Sequence, residues 1–271
     1  MLVLSVLLFL ISETNTKNYA ILLNASQYYK NIRHTANIHL FYRILRENGF
    51  ADDEIIVFTC DDLIHDCRNS KKGHIILPDG EFTVPKFRGR SFTPLSFYNA
   101  VMGNNKKLID MDETSNILIY MCGHGNRDFL KVHNKHFITS TELTNALCVL
   151  SRRGINKAFV IIDTCKAATL INREKLPENI VVLFTSKEDQ DSISSFSSNI
   201  TGQMTIDNFP YFFYKHIENR LDTDIIDFVE EMASNYPVES NLIIWPEKRW
   251  KICEFFKQTK KKMYCANLSF K

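Results

Sequence analysis

The sequence lacks several features that would point to common classes of protein. Its 33 lysine and arginine residues nearly balance 31 aspartate and glutamate residues, and a net charge of +2 gives no reason to expect nucleic acid as a partner. The seven cysteines show neither CxxC spacing nor a zinc-finger arrangement with histidine. There are no internal repeats, and no apolar run reaches membrane length. The overall composition, with 45% hydrophobic residues, is that of an ordinary globular protein. A length of 271 residues is enough for one large domain or two small ones.

The two ends of the chain differ in composition from the rest. The first residues, MLVLSVLLFLISETNT, hold ten apolar residues in the first eleven. Such a run is too short to span a bilayer and is typical of a secretory signal, although no basic segment precedes it; a buried N-terminal strand is the alternative. The far end, KKKMYCANLSFK, is most simply a solvated terminus, with weak attraction to anionic lipid as the alternative. We predict a signal peptide over residues 1–16, a folded domain over 17–258 and a basic tail over 259–271.

Strand-like and helix-like segments alternate along the domain. Five apolar runs are nearly continuous, as in strands buried on both faces of a parallel sheet: residues 19–24, 54–60, 116–122, 157–165 and 179–186. Helical periodicity is found over residues 31–49, 139–154, 206–220 and 222–236. Residues 66–100 are predicted to form an extended loop with a small β-hairpin, and residues 240–256 a second hairpin. The alternation predicts an α/β fold, a three-layer sandwich whose mostly parallel sheet has helices on both faces.

Two reactive residues follow neighbouring runs of the predicted sheet. His124 sits between two glycines after the run that ends at Cys122, and Cys165 is the last residue of the next run. Catalytic groups of such sheets gather at the carboxyl ends of the strands. A histidine beside a cysteine supplies the base that makes the sulfur nucleophilic, and the N–H groups of Gly125 and Cys165 are candidates for binding an oxyanion. A helix or a nest of N–H groups after Cys165 would lower the pKa of its thiol. The alternative is an unreactive, buried thiol.

A family resemblance extends this interpretation. The segments SNILIYMCGHGNRDFLK and FVIIDTCKAATL resemble the caspase- and legumain-type cysteine peptidases. The segment NYAILLNASQYYKNIRHTANIHLFYRILRENGF is similar to the family of glycosylphosphatidylinositol (GPI) transamidase catalytic subunits, and the resemblance makes residues 17–258 a caspase-like catalytic domain. It implies that Cys165 is the nucleophile, His124 the general base, Asn31 a residue that assists this pair, and Gly125 an oxyanion donor. It also implies that Ser186, Thr185 and Arg33 line the substrate cleft, while for His34 a structural role is at least as natural.

The same resemblance implies an acyl transfer that needs no cofactor. The C-terminal GPI-attachment signal of a preprotein would be cleaved, and the new C-terminus joined to the ethanolamine-phosphate amine of a GPI lipid. The implied partners are therefore the preprotein signal, the GPI lipid and the other subunits of a membrane-bound complex in the lumen of the endoplasmic reticulum. No metal is expected, because Asp52 matches one calcium position of the family but Val84 and Lys86 stand where acids would be needed.

Several positions depart from the family pattern. Asn126 replaces a glycine after Gly-His-Gly, and Lys166 replaces a glutamine after the nucleophile, which adds a cation there. Cys67 lies two places later than the family cysteine that bonds a partner subunit, so Cys67 is a candidate for an interchain disulfide. An odd number of cysteines agrees with at least one thiol that is free or bonded to another chain. Packing in the core is expected of Cys60, Cys122, Cys148 and Cys253.

Two alternatives to a transamidase are open from the sequence. One is a secreted, legumain-like endopeptidase that uses water and cleaves after asparagine or aspartate. The other is a binding module that keeps the caspase fold without catalysis. The presence of both His124 and Cys165 argues against the second alternative.

Overall fold

The computed structural model describes residues 16–85, 92–200 and 202–257; the basic tail and, except for Thr16, the predicted signal peptide lie outside these ranges. The strands are β1 (Asn18–Asn24), β2 (Ile55–Thr59), β3 (His74–Leu77), β4 (Gly80–Thr83), β5 (Asn116–Cys122), β6 (Gly125–Asn126), β7 (Phe129–Val132), β8 (His136–Thr139), β9 (Lys157–Asp163), β10 (Ile180–Phe184), β11 (Phe196–Ser197), β12 (Met204–Ile206) and β13 (Ile243–Trp245). The helices are α1 (Ile32–Glu47), α2 (Pro94–Val101), α3 (Ser140–Arg152), α4 (Asn208–Ile217), α5 (Ile225–Asn235) and α6 (Cys253–Phe256).

A six-stranded sheet forms the centre of the domain, in the order β2-β1-β5-β9-β10-β13. The first five strands in that order are parallel, and β13 pairs antiparallel with β10. Successive residues of a strand point to opposite faces, so Ile119 and Tyr120 of β5 enter two separate apolar clusters. Helices α1, α4, α5 and α6 cover one face, and α2 and α3 cover the other. The predicted three-layer α/β sandwich with a mostly parallel sheet is confirmed.

The register of the central strands determines where the reactive residues lie. Cys122, the last residue of β5, is paired with Asp163, the last residue of β9. His124 therefore lies two residues after Cys122, and Cys165 lies two residues after Asp163. Asn24, the last residue of β1, is matched with Cys122 on the other side. Three adjacent strands thus end at one level, and the turns that follow them share one edge of the sheet.

Side-chain caps account for two of the helix boundaries. The Thr139 hydroxyl accepts a hydrogen bond of 3.3 Å from a backbone N–H in the first turn of α3, and Gly154 follows the end of this helix with a φ of +84°. The Asp224 carboxylate accepts hydrogen bonds of 3.1 Å from the N–H groups of Ile226 and Asp227 at the start of α5. No helix within the described ranges is both long enough and apolar enough to cross a bilayer.

Two predictions about connecting segments need correction. Residues 66–100 contain the predicted hairpin, β3–β4, but also helix α2, which begins after the N-cap Thr93 with Pro94 in its first turn. The hairpin predicted over residues 240–256 is wrong, because β13 pairs with the open edge of β10 and residues 253–256 form α6. Phe255 and Phe256 are adjacent and both fully buried. A strand with one exposed face would have left one of these rings in solvent.

Candidate active site

His124 lies in a sharp turn between β5 and β6. Gly123 has a φ of +151°, and a Cβ atom added there would lie 3.0 Å from the Cβ of Ala25. Only glycine adopts this conformation readily, and it lets the chain turn away from the buried strand. The result is that Cys122 is fully buried while His124, two residues later, reaches the surface with its ring partly covered.

Asn31 orients the ring of His124. Its Oδ1 lies 2.8 Å from Nε2 of His124, and its Nδ2 donates a hydrogen bond of 2.7 Å to the carbonyl of Gln27. Because the amide nitrogen is used as that donor, Oδ1 accepts from the Nε2–H of His124. This tautomer leaves Nδ1 unprotonated and able to accept a proton. The buried ring of His34 meets the ring of His124 edge-on, with centroids 5.2 Å apart, and is itself held 2.7 Å from Oγ of Ser26.

Partial burial and positive charges favour the neutral form of His124. Desolvation of the ring, followed by the charges of Arg33, Lys131 and Lys30, lowers the pKa of His124 to about 4. The imidazole is therefore uncharged at neutral pH. An uncharged imidazole is the form that can act as a general base.

Hydrogen bonds on both sides hold the turn that carries Cys165. The Thr164 hydroxyl donates to the carbonyl of Gly123 at 2.8 Å, which ties this turn to the histidine turn. Oγ of Ser186 donates to the carbonyl of Thr164 at 2.7 Å and accepts from the N–H of Ala167 at 3.0 Å. One buried hydroxyl therefore fixes the backbone before and after the half-buried Cys165.

Ser186 and Thr185 do not line a cleft, contrary to the expectation from the resemblance. Both residues are fully buried, and the Thr185 hydroxyl donates to Asp163 at 3.0 Å while Ser186 bonds the nucleophile turn. Neither side chain has a surface that a substrate could touch. Both residues lie next to the turn that carries Cys165, and tertiary packing determines the direction of their side chains.

Gly125 lets the two turns approach closely. A Cβ atom added to it would lie 2.4 Å from Oγ1 of Thr164 and 2.8 Å from the carbonyl oxygen of Cys165. The N–H of Lys131 donates to the carbonyl of His124 at 2.8 Å, which makes the adjacent cross-strand pair a non-hydrogen-bonded one. The N–H of Gly125 is therefore not used by the β6–β7 ladder and stands beside the nucleophile turn.

The resting state of Cys165 differs from the sequence-based expectation of a lowered pKa. Burial raises the pKa of the Cys165 thiol, as do the carboxylates of Asp191 and Asp163, and a hydrogen bond from the backbone of Ser192 opposes them. The segment after the nucleophile is a single 3₁₀ turn, Ala167–Thr169, and not a longer helix. The environments of both reactive residues thus favour a neutral thiol beside a neutral imidazole over a charged pair.

A buried carboxyl pair next to the nucleophile turn was not anticipated from the sequence. Asp163 accepts a hydrogen bond of 2.7 Å from the Tyr120 hydroxyl, and burial together with the charge of Asp207 raises the pKa of Asp163 to about 7. Burial also raises the pKa of Asp207, although Arg33 opposes this with an Nε–Oδ1 distance of 3.0 Å. The side chain of Arg33 is partly buried beside Asp207. An aspartate directly after the apolar residues 158–162 was the signal that could have revealed Asp163.

The remaining candidate residues lie away from this site. Cys67 is exposed, and its proposed interchain disulfide stays a prediction. Asp52 accepts a hydrogen bond from the Tyr42 hydroxyl and pairs with Arg46 at 2.7 Å. Among the residues that the structure describes, no three or more histidine, cysteine, aspartate or glutamate side chains form a potential metal site. Of the cysteines expected in the core, Cys122 is fully buried, whereas three are only partly buried: Cys60, Cys148 and Cys253.

A thiol and an imidazole that follow adjacent parallel strands, in this strand order, define a caspase-like α/β fold. The structure is similar to the crystal structure of caspase-1 from Spodoptera frugiperda, with a TM-score of 0.53, covering 91% of this chain and 93% of that one. Sequence identity is only 10%, so this similarity concerns the fold alone. The model of the Peptidase C13 family matches residues 18–266, and the chain belongs to that family.

Relatives in this family carry a common name. The chain is 32% identical over 237 residues to the GPI-anchor transamidase of Saccharomyces cerevisiae, which covers 82% of this chain and 54% of the relative. It is 30% identical over 219 residues to the GPI-anchor transamidase of Homo sapiens, covering 75% of this chain and 55% of the relative. The chain thus spans little more than half the length of these two relatives.

Proposed function

We propose that this chain is the catalytic subunit of a GPI transamidase, with Cys165 as nucleophile and His124 as general base. The observation that carries the proposal is the contact between their two turns, which Gly125 and the Thr164–Gly123 hydrogen bond hold together at the edge of the sheet. The names and identities of the relatives support the choice of reaction.

The first half of the reaction is acylation of the thiol. Nδ1 of His124 takes the proton of Cys165 as Sγ attacks the carbonyl at the cleavage site of a preprotein's C-terminal signal. The negative charge on the carbonyl oxygen is stabilised by the N–H groups of Gly125 and Cys165. His124 then gives its proton to the departing amine, and a thioester remains on the sulfur. A neutral thiol and a neutral imidazole suit this order of steps, since the proton moves only as the substrate reacts.

The second half is attack by an amine on the thioester. The ethanolamine-phosphate amine of a GPI lipid loses a proton to His124 as its nitrogen bonds the carbonyl carbon, and the Cys165 thiolate leaves and is protonated. Asn31 keeps Nε2 of His124 occupied throughout, so that Nδ1 serves both halves. An amide forms in place of the peptide bond that was cleaved.

Water must be kept from the thioester while a lipid-borne amine is admitted. An open site on a single subunit does this poorly, which favours a membrane-bound complex in the lumen of the endoplasmic reticulum. The partners in this proposal are the other subunits, the preprotein signal and the GPI lipid. The interchain bond through Cys67 and the domain limits of residues 17–258 belong to the same proposal.

Complementation tests the proposed function. In cells that lack their own catalytic subunit, the full chain should restore GPI-anchored protein at the surface, and its Cys165→Ala form should not. Membranes from the complemented cells should also form a hydrazide of a model preprotein when hydrazine is supplied. Release of the free acid alone would favour the endopeptidase, and restoration by Cys165→Ala would favour the non-catalytic module.

A further inference from the structure

The small sheet β6-β7-β8 has one face in the core and one face in solvent next to His124. Leu130, Val132 and Ile138 are fully buried on the inner face. Alternate residues point the other way, and their register places them side by side. We call this surface the hairpin face, formed by His124, Asn126, Phe129, Lys131 and Phe137.

Lys131 is the charged residue of the hairpin face that is hydrogen-bonded to the backbone of His124. Its N–H donates to the carbonyl of His124 at 2.8 Å, one step beyond the Gly125–Leu130 pair. Side chains of residues opposite each other in such a pairing leave the backbone about 5 Å apart. A second cation, Lys166, reaches the same face, where its Nζ donates to Oδ1 of Asn126 at 3.0 Å. Lys30 adjoins Asn31, the partner of the His124 ring.

Within the described residues, none of Lys30, Lys131 and Lys166 forms an ion pair with a carboxylate. The positive charges of Lys131 and Lys30 act on His124 and help to lower its pKa. A concentration of positive charge beside a general base is unfavourable for protonation of that base and favourable for an anionic ligand.

The apolar part of the hairpin face adjoins these charges. The rings of Phe129 and Phe137 meet edge-on with centroids 4.9 Å apart, and Phe137 is 48% exposed. An aromatic pair beside a cation suits a ligand that combines a carbon framework with negative charge. A wholly apolar peptide would leave the charge of Lys131 without a partner.

In the proposed reaction the acceptor is an ethanolamine-phosphate amine, and its chemistry brings the phosphate close to the hairpin face. The attacking amine must come within hydrogen-bonding distance of His124 to lose its proton. In an ethanolamine phosphate, four bonds separate the nitrogen from the phosphorus, a span of about 5 Å. A phosphate at that distance from the amine is within reach of the flexible side chain of Lys131.

We propose that the hairpin face is the acceptor subsite, on which Lys131 binds the phosphate of an ethanolamine-phosphate amine while His124 takes the proton from its nitrogen. This inference rests on the proposed transamidase function and names the part of the acceptor that the chain recognises. Lys166 adds a second positive charge at the Asn126 end of the face.

The test compares two acceptors that differ only in the phosphate. Membranes containing the full chain are supplied with O-phosphoethanolamine or ethanolamine, and the amide adduct of a model preprotein is measured by mass spectrometry. Relative to the native chain, Lys131→Met should lower the ratio of phosphoethanolamine to ethanolamine adduct about fivefold, the value of one exposed charge pair. Any change in the basicity of His124 affects both acceptors and cancels in the ratio.

Two further variants serve as controls. Lys131→Arg keeps the charge and should keep the native ratio, and Lys135→Met removes an exposed lysine from the β7–β8 turn and should keep it as well. An unchanged ratio in Lys131→Met would overturn the proposal, while adducts formed with either amine would leave the transamidase function standing. Equal suppression of both acceptors by inorganic phosphate would identify a general anion site and would also overturn it. If no amine adduct forms with any chain, the proposed function fails and this inference fails with it.

Discussion

Replacing Gly125 with alanine tests how closely the two reactive turns must approach each other. The added Cβ would lie 2.4 Å from Oγ1 of Thr164, 2.9 Å from its Cγ2 and 2.8 Å from the carbonyl oxygen of Cys165. Ordinary van der Waals contact begins at 3.4 Å, so the worst of these contacts is too short by about 1 Å. The carbonyl is backbone and cannot rotate away. The turn that carries Cys165 must therefore shift relative to His124.

The structure sets the size of the expected effect. An extra methyl group in a tightly packed position costs about 1–3 kcal/mol of folding stability. A shift of about 1 Å between reacting groups lowers a rate by about 100-fold. We therefore expect Gly125→Ala to keep a folded domain and to reduce hydrazide formation from a model preprotein about 100-fold.

A double-mutant cycle separates this crowding from other causes. Thr164→Ala removes two of the three short contacts and, as a single variant, reports the cost of losing the hydrogen bond to Gly123. Combined with Gly125→Ala it should recover part of the lost activity, so that the double variant is better than the product of the two single effects. Hydrazide formation and thermal unfolding are measured for all four chains. Native activity in Gly125→Ala, or no recovery in the double variant, would refute the close approach.

Three other consequences can be measured on the same preparations. Because burial and nearby cations lower the pKa of His124 to about 4, activity should fall on the acid side with a midpoint near that value, and a midpoint near the ordinary 6.5 would contradict the electrostatics. Asn31→Ala frees the imidazole and should reduce kcat about tenfold or more with little change in KM, so a change confined to KM would contradict the orienting role. The pKa of Asp163 is raised from 3.8 to about 7, so the folded state gains stability that is full below about pH 4 and is lost as the pH rises through about 7. Asp163→Asn stays neutral and should flatten this part of the urea-unfolding profile, whereas an unchanged profile would assign it to other groups.

Much of the fold could be predicted from the sequence because its strands are buried on both faces. Residues 117–122, for example, are continuous in apolar residues, so the position and the end of this strand are evident without a structure. The glycines around His124 and the position of Cys165 at the end of another such run then place both residues at one edge of the sheet. That part of the site follows from local patterns alone.

The parts that escaped prediction depend on long-range contacts. Helix α2 begins at Thr93 and Pro94 inside a segment with little periodicity, and β13 pairs with an edge that only the complete sheet provides. The raised pKa of Cys165 comes from burial and from carboxylates that tertiary structure brings near. The direction of the Ser186 hydroxyl likewise depends on its hydrogen bond to the carbonyl of Thr164.

The most direct measurement is the site of acyl attachment on the chain during turnover. Membranes containing the full chain are incubated with a model preprotein without an amine acceptor, quenched in acid, and mapped by peptide mass spectrometry. We expect a thioester on Cys165 that hydrazine discharges and that His124→Ala forms about 100-fold more slowly or worse, since about 100-fold is the lower end of what a general base contributes. An acyl group on another residue, or turnover that continues in Cys165→Ser at the native rate, would contradict it.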